Sequence, residues 1–168
     1  MEIVGIWETS GALEQLLLDS LSDEGKCGLL LRSSPVPEPF FRGSLHLLVV
    51  APDVQIPKDA ALPPCRRLLL PGSGAELIAP GQDGGALEGL SYGASSRDSL
   101  TFSSIEGARL SLSIQREFLS LTGDLVERQE MPLQRIEGAD PLLLLACAGL
   151  LLLLGKKAEE VPRLLARY

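Results

Sequence analysis

Residues 1–32 read MEIVGIWETSGALEQLLLDSLSDEGKCGLLLR, and the fold turns on this stretch. Ile3 to Trp7 is an apolar run that stops at the polar turn Glu8-Thr9-Ser10-Gly11, the pattern of a strand and its end. Leu13, Leu16, Leu17 and Leu21 then recur at helical spacing, with Glu14, Gln15 and Asp19 on the opposite side. Thr9 or Ser10 is placed to cap this helix, and Asp23-Glu24-Gly25 closes it. Lys26 to Leu31, with Cys27, Gly28 and three leucines, reads as a second strand. A strand, a helix and a strand within about 30 residues form a βαβ unit, which predicts parallel strands and a right-handed crossover.

The chain beyond extends this plan. Pro35, Pro37 and Pro39 argue against helix between Ser33 and Gly43, because each proline restrains itself and the residue before it. Leu45 to Ala51 is apolar throughout, as interior strands of parallel sheets are. A Pro-broken connector, Asp59 to Pro64, leads to a further strand, Arg66 to Leu70, closed by Pro71-Gly72-Ser73-Gly74. Ala75 to Ala79 is ambiguous and Gly81 to Gly85 is turn-rich. Leu87 to Tyr92 and Leu100 to Ile105 have strand composition. From Ala108 to Leu119, Leu110, Leu112 and Ile114 alternate with Ser111, Ser113 and Gln115, and Thr122-Gly123-Asp124 turns the chain into a returning strand, Leu125 to Gln134. Asp140-Pro141 then opens a leucine-rich helix that Gly155 ends, with Lys156-Lys157 complementing its dipole and Ala158 to Arg167 forming a last short helix. The fold class expected is α/β: a Rossmann-like, mostly parallel sheet with flanking helices and an antiparallel hairpin in the second half.

Composition narrows the function. With 168 residues, 45% of them apolar, the chain is expected to form one domain, residues 1–168, with a core that needs no staples. Lys and Arg number 15 against 22 Asp and Glu, an acidic balance that argues against a general nucleic-acid binder, which needs a basic face for the phosphates. One His and three scattered Cys satisfy no common metal-site spacing. The longest apolar run, Leu142 to Leu154, falls short of the roughly 18–20 residues that span a bilayer, so no membrane span is expected. No secretory signal opens the sequence, which makes the cytoplasm the default location.

One family shares this element order. Leu90-Ser91-Tyr92-Gly93-Ala94-Ser95, then Asp98 to Ile105, a hairpin, a long apolar helix ending at Gly155 and a short acidic helix resemble the end of the central domain of the Mur ligases. These are the ATP-dependent amide ligases of peptidoglycan precursor synthesis, with the folylpolyglutamate synthases as relatives. The resemblance covers most of the chain in element order and is specific in sequence around Leu90–Ile105 and Asp140–Leu165. It implies that Ile3–Gly11 stands where the family has its first strand and phosphate loop. Leu45–Asp53 then resembles the strand before the metal and catalytic segment, and Arg66–Gly74 the strand whose loop meets the nucleotide base.

The departures are as informative. Active members carry Gly-Lys-Thr or Gly-Lys-Ser, whose amides cradle phosphates and whose Lys reaches the β/γ-phosphates. Here Trp7-Glu8-Thr9-Ser10-Gly11-Ala12-Leu13 holds no Lys, and Glu8 sets a negative charge where a triphosphate would lie. The family's metal-binding Glu and His have no evident counterpart, since the only His, His46, falls inside a strand. The family's substrate and ligase domains have no counterpart either, so the expectation is a stripped central domain without catalytic residues, metal or cofactor.

Two weak ligand sites are candidates. Thr9, Ser10 and Gly11 lie at a strand-to-helix turn that suits an anion, although every βα turn offers an N-cap of the same geometry. Gly72, Ser73 and Gly74 follow a strand at the edge where open α/β sheets bind ligands, and read equally as a turn. Cys65 beside Arg66 and Arg67 is a minor candidate for a low-pKa thiol, with no general base to use it. Arg116-Glu117 and Glu127-Arg128-Gln129-Glu130 suit a solvated hairpin face with cross-strand charge pairs, and alternatively a face for a partner. The leading expectation is a non-catalytic module that binds a protein partner or forms a homo-oligomer. The alternatives are a small-molecule or nucleotide binder, and an ATP-dependent ligase completed by partner subunits.

Overall fold

The continuous apolar runs become the middle of one sheet. A computed structural model describes residues 1–24, 28–78, 88–134 and 138–166. Its strands are β1 (Glu2–Trp7), β2 (Leu29–Ser34), β3 (Leu45–Val50), β4 (Cys65–Pro71), β5 (Glu88–Tyr92), β6 (Leu100–Glu106), β7 (Arg109–Ile114), β8 (Phe118–Leu119), β9 (Leu125–Val126) and β10 (Gln129–Gln134). Its α-helices are α1 (Ala12–Ser20), α2 (Pro141–Leu153) and α3 (Val161–Leu165). Eight strands pair in the order β10-β7-β6-β5-β4-β3-β1-β2, and β8 and β9 form a separate two-stranded ribbon. The pairs from β2 to β6 are parallel, whereas β6–β7 and β7–β10 are antiparallel. The four apolar runs of the first half therefore lie in one parallel sheet, as their composition predicts.

Alternation along the central strands feeds two cores. Val4, Ile6, Leu47, Val49 and Leu69 join α1, α2 and α3 in the larger one. Trp7, Leu48, Val50, Leu68 and Leu70 join the smaller, on the opposite face. Among the described residues, no α-helix contributes to the smaller core. It is covered by the proline-rich connectors, through Phe40, Val54 and the partly buried Ile56 and Leu62. Gly5 is a condition of this cover, because a Cβ there would stand 2.8 Å from Leu45 Cδ1 and 3.2 Å from Phe40 Cδ1.

The leucine helix is buried all round its centre. Residues 144–153 of α2 are all buried, and leucines on every side leave no polar face for water. Asp140 caps it by accepting from the Leu142 amide at 3.0 Å, with Pro141 in the first turn, as read from the sequence. At Gly149 the helix meets the sheet so closely that a Cβ would lie 2.6 Å from Leu100 Cδ1.

Several boundaries differ from the sequence reading. The second strand begins at Leu29, after the positive-φ Gly28, and runs on to Ser34 in register with Trp7; Lys26 and Cys27 lie outside the described residues. The expected strand Ala108–Leu119 divides into β7 and β8, and its return into β9 and β10, where the register slips by one residue: Ile114 pairs with Gln129, whereas Phe118 pairs with Val126. A second hairpin joins β6 to β7 through Gly107-Ala108, where Gly107 (φ 58°) takes the first central position, as a type II′ turn requires. Short 3₁₀ helices form at Glu38–Phe41, inside the proline-rich connector, and at Gly72–Ile78, where a turn was expected through Gly74 and the residues after it were ambiguous. Gly81–Gly85 lies outside the described residues. The last helix is shorter than Ala158–Arg167, and Lys156 reaches across to pair with Glu24.

Candidate functional site

The order β3-β1-β2 reverses the chain's direction of travel across the sheet at β1. In open α/β sheets, ligands bind at such a switch point, in the crevice beyond the carboxyl ends of the strands. Here that crevice lies between the end of β1, with the turn Glu8–Gly11, and the end of β3, with Pro52-Asp53.

The chain's own carboxylates occupy it. Asp53 accepts from the amides of Thr9 (3.2 Å) and Ser10 (2.8 Å) and from the Thr9 hydroxyl (2.7 Å). Glu8, only 2% exposed, folds over the start of α1 and accepts from the amides of Leu13 (2.8 Å) and Glu14 (3.0 Å). The Ser33 hydroxyl on β2 also donates to Glu8, at 3.2 Å. The Ala12 amide turns to Ser10 Oγ at 3.3 Å. The amides of Thr9, Ser10, Ala12, Leu13 and Glu14, the donors that a bound phosphate would draw on, thus all have acceptors within the chain. The helix cap differs from the expected one: Gly11 is the N-cap residue, in the left-handed conformation (φ 76°), and Glu8 does most of the capping that Thr9 or Ser10 was expected to do.

The two carboxylates titrate in opposite directions. Burial raises the Glu8 pKa; its hydrogen bonds from Leu13, Glu14 and Ser33 offset part of that, and the Asp53 charge adds to it. Burial also pushes Asp53 upward, but hydrogen bonds from Thr9 and Ser10 outweigh it and the net shift is down. A raised carboxylate pKa means that the native state holds its proton longer than the unfolded chain. Glu8 therefore contributes stability that is present below its ordinary 4.5 and lost as pH rises through its higher folded value. Asp53 contributes stability that is present above its ordinary 3.8 and lost as pH falls through its lower folded value. Urea unfolding between pH 2.5 and 8 is expected to separate them. Glu8→Gln flattens the decline above 4.5, and Asp53→Asn removes the decline below 3.8. Identical profiles for both variants and the parent would show that neither contact operates in solution.

The second candidate site is a cleft of about 560 Å³ beside the end of β4. Gly72, Ser91, Asp98 and Ser99 line it, with Arg97 and Arg116 among its basic residues. Ser91 and Ser99 exchange amide-to-hydroxyl bonds at 3.2 and 3.3 Å, which joins the two strands around the turn. Asp98 is 5% exposed and accepts from the Ser95 amide at 3.1 Å. It is wedged between two glycines, since a Cβ on Gly72 or Gly93 would lie 2.5 or 2.6 Å from its carboxylate oxygens. Arg116 donates to the Arg97 carbonyl at 2.8 Å.

Of the residues singled out from the sequence, Thr9, Ser10 and Gly11 sit at the switch point and Gly72 lines the cleft. Gly74 packs toward Ile56, and Ser73 is not among the cleft's lining residues. The two glycine turns do not share a site, because β3 stands between β1 and β4. His46 is structural: its Nδ1 accepts from the Ile3 amide at 3.0 Å. Cys65 is not activated by its arginine neighbours, since burial pushes its thiol up to about 11. Asp53 and Asp98 escaped the sequence reading as site residues. The available signal for Asp53 was an acid just past an interior strand, which is ordinary until the strand order is known.

No protein-family model matches the sequence, and no curated protein matches it. Among solved structures, the chain is similar to the crystal structure of MurF from Acinetobacter baumannii, with a TM-score of 0.56 and 10% sequence identity. The match covers 98% of this chain and 45% of that one, so the chain spans less than half the length of the ligase. Identity this low speaks for the fold alone, and the fold is Mur-ligase-like.

Proposed function

We propose that this chain is a non-catalytic domain of the Mur-ligase fold that acts through protein contacts, with another protein or with a second copy of itself. The observation that carries this reading is the filling of the switch point by Glu8 and Asp53. Phosphoryl transfer relies on positioned positive charge, and the turn Glu8–Gly11 presents hydroxyls and already-bonded amides between two carboxylates. An ATP phosphate would have to displace both acids, and loss of a charge-assisted contact of the missing-Lys kind costs about 1.5–3 kcal/mol in binding alone. Calorimetry with Mg-ATP is expected to give no binding below millimolar concentration and no turnover. A low-micromolar Kd, or hydrolysis abolished by Ser10→Ala, overturns the reading and revives a ligase completed by partner subunits.

A second reading rests on the cleft at Gly72 and Asp98. Its volume suits a small molecule, and Arg97 and Arg116 supply positive charge near the buried Asp98 carboxylate. Under this reading the cleft takes a small ligand whose carboxylate or phosphate meets Arg97 and Arg116 and whose hydrogen-bond donors meet Glu76 and Asp98. A thermal-shift screen of carboxylate and phosphate metabolites, with Arg116→Ala as the control, separates the two readings.

A further inference from the structure

We propose that the exposed edge of β2 is a self-association surface, at which two copies join their sheets antiparallel about a two-fold axis at Leu31. The proposal rests on the non-catalytic reading above and names the partner as a second copy.

The direction of the backbone groups follows from two hydrogen bonds. Glu2 N donates to the Gly28 carbonyl and Glu8 N to the Ser34 carbonyl, so the even-numbered residues of this strand face β1. The odd residues Leu29, Leu31 and Ser33 therefore direct both N–H and C=O outward, at the end of the sheet order. A row of such groups is a template for another strand. The other end of the sheet is guarded differently. β10 carries Pro132 at its middle, which removes a donor, with an exposed Glu130 nearby. β2 carries neither a proline nor an acidic residue, and three of its six residues are leucine.

The sequence of β2 is self-complementary in one register. Outward-facing residues pair with each other in an antiparallel ladder, which places Leu31 opposite its own copy and Leu29 opposite Ser33. Between them Leu30, which is 36% exposed, falls opposite Arg32. The aliphatic stem of Arg32 then covers the leucine, and the two Arg32 side chains stand diagonally across the axis rather than directly opposite, their charged ends free to turn to solvent. Leu29 and Leu31 already pack against the larger core, so the pairing extends that core across the axis. Two copies would form one continuous sheet with no exposed β2 edge.

Light scattering on the full chain over a range of concentrations is expected to show a dimer. Leu31→Pro removes an N–H that faces away from β1, so it should leave the fold intact while raising the dimer Kd at least about tenfold. Leu31→Cys, with Cys27 and Cys65 changed to Ser, is expected to form an interchain disulfide on mild oxidation, because directly paired Cα atoms are about 5.5 Å apart. Leu29→Cys in the same background should not, since it faces Ser33. If Leu31→Pro fails to fold, the cysteine pair still decides the matter. A monomer at all concentrations overturns the proposal, as does a dimer in which Leu31→Cys does not cross-link. Either result leaves the non-catalytic reading to stand or fall by the separate Mg-ATP titration.

Discussion

Leu150→Ala is expected to destabilise the protein by about 2–5 kcal/mol, the cost of removing a fully buried leucine and leaving part of its volume empty. Leu150 is 0% exposed, in the middle of a helix whose other buried side chains are held by the sheet and by α1. A change of 1 kcal/mol moves the melting temperature of a chain this long by about 2–4 °C, so a drop on the order of 10 °C follows. Leu150→Asp adds the burial of an unpaired charge, worth several kcal/mol more. A domain of ordinary stability, about 5–15 kcal/mol, does not survive both terms, and this variant should be recovered only as unfolded or aggregated protein. Thermal and urea denaturation measure both effects. A loss under about 1 kcal/mol for the alanine variant would mean that the helix is far looser than its packing indicates.

The second large effect lies on the opposite face. Phe40→Ala should cost about 3–5 kcal/mol, the range for a buried aromatic ring. Phe40 is 2% exposed and belongs to the 3₁₀ helix of the proline-rich connector. Its ring lies close over Gly5 in β1 and shares the smaller core with Leu45 and Leu48. An α-helix in that place would spread its contacts over several side chains. This connector gives its cover through one buried ring, with Val54, Ile56 and Leu62 of the next connector beside it, so loss of the ring opens a gap over Gly5 and Leu48. Neighbouring Phe41, 44% exposed, is the control: Phe41→Ala should change stability by less than about 0.5 kcal/mol. Equal effects at 40 and 41 would contradict the assignment of the smaller core.

The contrast between Phe40 and Leu150 marks what the sequence made legible. Apolar runs such as Leu45–Ala51 and Leu142–Leu154 declare themselves, because burial on both faces or all round demands uninterrupted hydrophobes. Phe40 does not, since two phenylalanines among prolines carry no period. The division of the second-half hairpin was hidden for a related reason. Both pieces share the same alternation, and the one-residue slip of register between the β7–β10 and β8–β9 ladders leaves no mark on it. At the switch point, Glu8 was legible as a charge unsuited to a triphosphate. That Asp53 arrives from 44 residues away in sequence to bond Thr9 depends on β1 and β3 being neighbours. Long-range pairing of that kind leaves no local trace.

The position of α2 in the chain has a consequence for synthesis. The helix that packs over Leu69 and Leu100 lies at Pro141–Leu153, after every strand of the sheet has been made. A nascent chain leaving the ribosome therefore presents an assembled or half-assembled parallel sheet with the side of β4 to β6 bare, until residues 141–153 have followed. During that interval the leucine-rich side is a natural substrate for holdase chaperones. Rare codons placed between 100 and 140 would lengthen the exposure, and the yield of soluble protein should fall with it.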